Sequence, residues 1–182
     1  MYCHKLRDAA ITEIGIYLDA QQVWIVLAAP FSPLAEMDEQ SAGQLVLNLV
    51  NQARATQRSC GKKIFNAAPP VRWNRSLAKA SRLHSAEMAR FNYFNHRGRD
   101  GSTPPQRVER AGYRYRIAGE NIAGGTMTPG DAVAGWIESP RHCTNLMNPA
   151  LTDMGVAGCL VTIDPPFFQS SASALILLLT VD

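Results

Sequence analysis

The chain reads as an α+β fold, with helices packed on a sheet. Three observations carry that expectation. Apolar residues recur at helical spacing through the middle of the chain. Short apolar runs of strand length, bounded by turn residues, lie towards both ends. Each middle segment also opens on a helix-start signal, at Asn74, at Pro104-Pro105 and at Thr128-Pro129. Helices between flanking strands fit α+β better than a regular β-α alternation. The 182 residues suit a single core, and an apolar share of 46% with 18% charged excludes a disordered chain.

Taken in order, Ile11 to Leu18 and Gln22 to Ala29 predict a β-hairpin around Asp19-Ala20-Gln21. Val23 to Ala29 is read as a strand rather than the apolar core of a leader, because Glu13 and Asp19 precede it and a basic flank is lacking. A first helix is expected from Asp38 or Ser41 to about Arg58, with Leu45, Leu49 and Ala53 as its stripe and Ser41-x-x-Gln44 as a capping box. Cys60-Gly61 ends it. The second helix follows Asn74 and carries Leu77, Ala80, His84, Met88 and Phe91 at spacings of three and four. A short third helix runs from Pro104 to Gly112, and a fourth begins at Thr128-Pro129-Gly130-Asp131 and is interrupted by Pro140. Strands are expected at Asp153 to Ile163 and Ala172 to Val181.

The chain also echoes itself. Cys3, Leu6, Ala10-Ile11-Thr12-Glu13-Ile14-Gly15-Ile16 matches Cys143, Leu146, Ala150-Leu151-Thr152-Asp153-Met154-Gly155-Val156 at a constant offset of 140. Residues 1–35 thus read as a hairpin segment like the closing third of the same fold, and 36–182 as the domain proper. The echo lacks counterparts of Glu120 and Glu138, and Tyr2 stands where His142 would.

Charge and cysteine usage narrow the function classes. A net charge of +3, with Arg107, Arg110, Arg114 and Arg116 clustered but no accompanying motif, speaks against nucleic acid as a partner. No run approaches the ~20 apolar residues of a membrane span. The four cysteines form no C-x-x-C pair, which argues against a zinc ribbon. Their even number admits two disulfides in three connectivities and hence an oxidising compartment.

Candidate chemistry gathers between His96 and His142. His96 follows the second helix in a loop of Asn, Gly and Arg. Glu120 sits between Gly119 and Asn121, beside Gly124-Gly125. Glu138 and His142 are four apart, with Pro140 between them. Imidazoles with carboxylates hold a divalent metal or move protons. His84, on the apolar stripe of the second helix, reads as a core or cleft-edge histidine. Neither Ser85 nor Ser139 lies in a nucleophile-elbow turn, so a serine-hydrolase triad is not expected.

From Leu47 to Val156 the chain resembles the CAP superfamily of cysteine-rich secretory, antigen 5 and pathogenesis-related proteins, with their bacterial SCP-like relatives. The matching pieces are Asn51-Gln52-Ala53-Arg54, Leu77-Ala78, His84-Ser85-x-x-Met88-Ala89, Phe94-Asn95-His96 and Asp100-Gly101-Ser102-Thr103-Pro104. They continue through Arg107, Gly112-Tyr113, Gly119-Glu120-Asn121-Ile122-Ala123, Trp136, Ser139-Pro140-x-His142, Asn145-Leu146-Met147 and Met154-Gly155-Val156. The resemblance implies an α-β-α sandwich of the CAP type, a central antiparallel sheet with helices on both faces, plus the extra amino-terminal hairpin. It implies a cleft in which His96 and His142 hold a divalent metal, zinc first, with Glu120 and Glu138 behind them. His84, Asn121 and Trp136 are expected to line that cleft. Cys60, at the end of the first helix, is expected to bond Cys143, beside His142, and Cys3 to bond Cys159.

The function that follows is an extracellular or periplasmic binding protein for a small apolar or cell-envelope ligand. The alternative is a metal-dependent hydrolase, acting on peptides or peptidoglycan, in which Glu120 or Glu138 takes a proton from zinc-bound water. A third expectation is an oligomer formed through the amino-terminal hairpin.

Overall fold

A computed structural model describes residues 13–19, 21–28, 38–125, 128–159 and 174–181. The chain divides into two units, Met1–Glu36 and Met37–Asp182.

The first unit contains strands β1 (Glu13–Leu18) and β2 (Val23–Ala28), paired antiparallel with Ile14 opposite Leu27, Ile16 opposite Ile25 and Leu18 opposite Val23. Asp19 Oδ1 accepts from the Gln21 N–H at 2.9 Å and shapes the turn. Strand alternation places Ile14, Ile16, Leu18, Val23 and Ile25 on one face, and all five are exposed.

The second unit begins with α1 (Glu39–Arg54), followed by the short strands β3 (Arg58–Cys60), β4 (Lys63–Phe65) and β5 (Arg72–Trp73). Next come α2 (Arg75–Phe91), α3 (Pro104–Arg110) and β6 (Ile117–Gly124). Then come α4 (Pro129–Glu138), α5 (Pro140–Met147), β7 (Asp153–Cys159) and β8 (Ala174–Val181). The main sheet has the order β5-β7-β8-β6; β8 runs antiparallel to both neighbours and β5 parallel to β7.

Both sheet faces are covered by helices. Met154 and Val156 of β7 join a buried cluster with Val46 and Val50 of α1, Trp136 of α4 and Leu146 of α5. Gly155, between them in sequence, points the other way. A Cβ added there would lie 2.0 Å from the Ala78 N of α2, so the absent side chain permits the helix to seat on the strand. On that side Leu77, Ala80 and Met88 of α2 pack with Val108 of α3 and Ile122 of β6. Each such apolar side chain contributes roughly 1.5–3 kcal/mol through burial.

Ile14-Gly15-Ile16 lies in β1 and Met154-Gly155-Val156 in β7.

Four expectations change. Helix α1 is capped by Asp38, whose Oδ1 accepts from the Ser41 N–H at 2.9 Å, so Ser41 lies inside the first turn and forms no box with Gln44. The same helix stops at Arg54 rather than near Arg58, because the following segment pairs as β3 with β4 across Gly61, where φ is +64°. The Glu120 segment, assigned no element from the sequence, is strand β6, since β8 supplies its hydrogen-bonding partner. Finally, β5 adds a strand that the Trp73 region did not announce. The strand expected from Asp153 is described as far as Cys159, and residues 160–163 lie outside the described residues.

Where the start signals are local, the elements follow them. Asn74 Oδ1 accepts from the Ser76 and Leu77 N–H groups at 2.9 and 3.2 Å. Thr128 and Asp131 cap α4 reciprocally, at 2.9 and 3.1 Å. Ser139 and Pro140 divide α4 from α5, with the proline in the first turn of α5.

Candidate functional site

The site is built around one buried carboxylate. Glu120 projects from β6 with its side chain 1% exposed. Its Oε1 accepts from His96 Nδ1 at 2.7 Å, and its Oε2 accepts from Arg107 Nη2 at 2.7 Å. A carboxylate accepts, so His96 Nδ1 carries the proton and Nε2 is the ring's remaining nitrogen. His96 is half exposed, on the loop after α2. A carboxylate that orients an imidazole in this way fixes both tautomer and ring plane.

Arg107 organises the surroundings. The same Nη2 donates to the His96 carbonyl at 2.9 Å, and Nη1 donates to the Ser102 carbonyl at 3.0 Å. It thus ties α3 to the His96 loop and supplies the countercharge that a buried Glu120 requires. Although it belongs to a cluster of arginines in the sequence, Arg107 is 8% exposed. The signal that points to it is the neighbouring Val108, wholly buried, together with the need of Glu120 for a cation.

His142 reaches the site from α5. Asn121, fully buried, donates from Nδ2 to the His142 carbonyl at 3.1 Å, and its Oδ1 accepts from Asn145 Nδ2 at 2.9 Å. These amides lash α5 to β6. Burial, and then the nearby His96 charge, hold the His142 imidazole below its ordinary value. His142 is therefore kept in the neutral form, and the two rings feel each other.

The remaining expected members lie elsewhere. Glu138 is exposed at the last residue of α4, with no hydrogen bond or ion pair among the described residues. The break at Ser139-Pro140 ends the helical face that would have stacked it on His142. Trp136 is a core residue, 1% exposed, whose Nε1–H donates to the Ile122 carbonyl at 3.2 Å. Asn121 is likewise a buried tie. His84 is buried on α2, with Nε2 2.9 Å from the Asn95 carbonyl.

Among the described residues, no group of three or more His, Cys, Asp and Glu side chains converges to hold a metal ion. Glu120 has both oxygens engaged and Glu138 stands apart, which leaves two imidazoles. Catalytic zinc takes three protein ligands, so the donor set does not fit a zinc-hydroxide centre.

A disulfide joins Cys60 of β3 to Cys143 of α5 across 83 positions, with the Cα atoms 5.4 Å apart. It fixes the residue next to His142, as expected. Cys3 lies outside the described residues, and with it the expected pairing to Cys159.

Among the described residues no helix is long and apolar enough to cross a membrane. The family model for the cysteine-rich secretory protein family (CAP) matches residues 47–159. The chain is 37% identical over 87 residues to the Bacillus subtilis protein YkwD, covering 48% of this chain and 34% of that one. It is 33% identical over 94 residues to the Bacillus subtilis membrane protein YlbC, covering 52% and 27%. Matched segments thus span about a third or less of those relatives. Among solved structures, an extracellular SCP-domain protein from Bacillus anthracis superposes with a TM-score of 0.62 at 24% identity, over 87% of this chain and 47% of that one. An outer surface protein from Borrelia burgdorferi gives 0.59 at 16% identity, over 76% and 90%. With the matched stretch running from α1 to β7 and the sheet covered by helices on both faces, this chain belongs to the cysteine-rich secretory protein family.

Proposed function

We propose that the protein is an exported binding module whose polar recognition centre is the His96–His142 imidazole pair. The ligand is a small apolar or envelope-derived molecule that lies against the two rings. One observation carries this reading: both oxygens of Glu120 are engaged, by His96 and Arg107, so Glu120 orients a ring and is not available to take a proton. The pair it leaves is one half-exposed imidazole and one neutral imidazole, suited to hydrogen-bonding a ligand.

The geometry favours this over the metal-dependent hydrolase. That reaction asks Glu120 or Glu138 to deprotonate a bound water beside two or more metal ligands. Glu120 is occupied and Glu138 is unaccompanied at the end of α4.

Export is supported by the Cys60–Cys143 bond, which persists in oxidising compartments. It is supported too by the extracellular description of the Bacillus anthracis structure, while the description of YlbC as a membrane protein leaves tethering to an envelope as the variant form.

The test is a panel of lipids, sterols and envelope fragments against wild type and a His96→Ala/His142→Ala double variant. A ligand bound by wild type and lost in the variant is expected. A wild type that binds none, or a variant that binds as well, removes the reading. Peptide or peptidoglycan cleavage that disappears in Glu120→Gln would reinstate the hydrolase.

We also infer that copies of the chain associate through the amino-terminal hairpin. The support is its exposed apolar face of Ile14, Ile16, Leu18, Val23 and Ile25, a row that water leaves uncompensated. Light scattering of wild type against Ile16→Lys tests it: a monomer in both cases ends the inference.

A further inference from the structure

A cavity of about 520 Å3 opens between α2, the loop at Gly98 and α3. Lys79, Leu83, His84, Glu87, Arg90 and Arg107 line it, and none of His96, Glu120, Glu138 or His142 does. Its volume suits a small molecule.

We propose that this cavity binds an acidic sugar, a ring bearing hydroxyl or amide groups and a carboxylate. The reading does not rest on the role of His96 and His142.

The deep end of the cavity calls for a group that both donates and accepts. His84 has no exposed side-chain area. Its Nε2 faces the Asn95 carbonyl at 2.9 Å, and a carbonyl only accepts, so Nε2 carries the hydrogen. In the neutral ring that leaves Nδ1 as an acceptor, and it has no hydrogen-bond partner. Glu87 Oε2, a second acceptor, lies 3.4 Å from it and already takes the Tyr93 hydroxyl at 2.5 Å. Arg107 Nε, a donor in the same lining, is also buried without a partner. Hydroxyls and secondary amides carry both a donor and an acceptor, the two kinds of group that these orphans lack. A plain fatty acid would cover these atoms with methylenes and leave them unsatisfied.

The rim calls for an anion. Four cations, Lys79, Arg90, Arg107 and Arg110, stand against two carboxylates, Glu87 and Asp100. Arg107 is matched by Glu120 and Arg110 by Asp100. Lys79 and Arg90 have no carboxylate partner among the described residues, and both are exposed on the cavity face of α2. Between them Leu83, 56% exposed, with Ala80 and Ala111, offers an apolar wall of the kind that receives the C–H face of a sugar ring.

The full chain is to be titrated with N-acetylmuramic acid, with N-acetylglucosamine, which lacks the carboxylate, and with laurate. Saturable binding of the acid is expected, with the neutral sugar weaker by about tenfold or more and laurate no tighter than the neutral sugar. Lys79→Ala/Arg90→Ala, two exposed changes, is expected to weaken the acid by about tenfold with thermal unfolding unchanged. Glu87→Gln is expected to weaken both sugars, and His96→Ala neither. No saturable binding of the acid, equal binding of the neutral sugar, an unaffected double variant, or laurate binding above the acid each overturns the proposal.

Discussion

Arg107 and Glu120 meet at 2.7 Å, Nη2 to Oε2, with side chains 9% and 1% exposed. The pair joins α3 to β6, and through the second oxygen of Glu120 it sets the ring of His96. Breaking it from one side strands a charge in the interior, which costs more than the pair itself contributes.

Arg107→Ala is therefore expected to destabilise the fold by about 3–5 kcal/mol, as denaturant unfolding would measure. Adding Glu120→Gln should recover part of that loss, because the stranded charge is then gone. A double variant as unstable as the sum of the two singles would mean that the groups act independently.

Arg54 is a buried cation of a different kind. It is wholly buried, faces no carboxylate among the described residues, and donates to the carbonyls of Pro69, Leu146, Asn148 and Leu151 at 2.6 to 3.1 Å. Two of these carbonyls lie at the end of α5, where the helix dipole favours a cation. Burial pulls its proton affinity down from the usual arginine range. Arg54→Met keeps the volume but orphans the carbonyls, at about 1–3 kcal/mol each where they stay buried. Arg54→Lys should fail as well, since an ammonium cannot span four carbonyls held by a planar fork. A thermal melt of Arg54→Lys equal to wild type would sink this account.

His142 gives the fold an acid-sensitive step. Burial first, and the His96 charge second, hold its folded-state affinity for protons below the unfolded value of 6.5. The unfolded chain therefore binds the proton first as pH falls. The contribution is intact above about pH 6.5, declines below that, and stops declining once pH is under the folded value. Stability should rise with pH across this window, and His142→Asn should flatten the slope. NMR titration placing the His142 midpoint at or above 6.5 would contradict it.

The Cys60–Cys143 bond closes 83 positions, for which the chain-entropy relation gives about 3–5 kcal/mol. Cys60→Ala/Cys143→Ala should lower the denaturant midpoint accordingly. It should also broaden the His142 resonance, since α5 loses its anchor to β3.

Zinc should bind weakly. The two imidazoles lack, among the described residues, the third protein ligand that a zinc site takes, and His96→Ala should weaken what binding there is. A submicromolar dissociation constant by calorimetry would require a third donor that the described residues do not supply.

Local signals in the sequence were read correctly where the physics is local. Asn74 and Thr128-Asp131 act on their own next turns, so α2 and α4 start where those residues say, and α4 breaks at Ser139-Pro140 as Pro140 announces. For the start of α1 the sequence offers Asp38 or Ser41, which carry the same capping chemistry, and geometry ranks Asp38 first. The end of α1 comes earlier than the apolar stripe implies, because Arg58 to Cys60 pair with β4 across Gly61. Strand β6 was hidden by Gly119 and Gly124, which blur its alternation, and by a partner strand that begins fifty residues further on.

What the sequence determined by itself is the family, the α+β class and the identity of the chemical groups, since these rest on residue types in order; the cysteine count alone admits three connectivities, and the fold brings Cys60 to Cys143. Tertiary structure decided which groups act together. A buried carboxylate must find its countercharge on whichever element the fold brings near, and that element was α3, so Arg107 entered the site. Glu138 sits on the far side of a helix break and stayed in solvent, because one proline turns the chain before any side chain can choose.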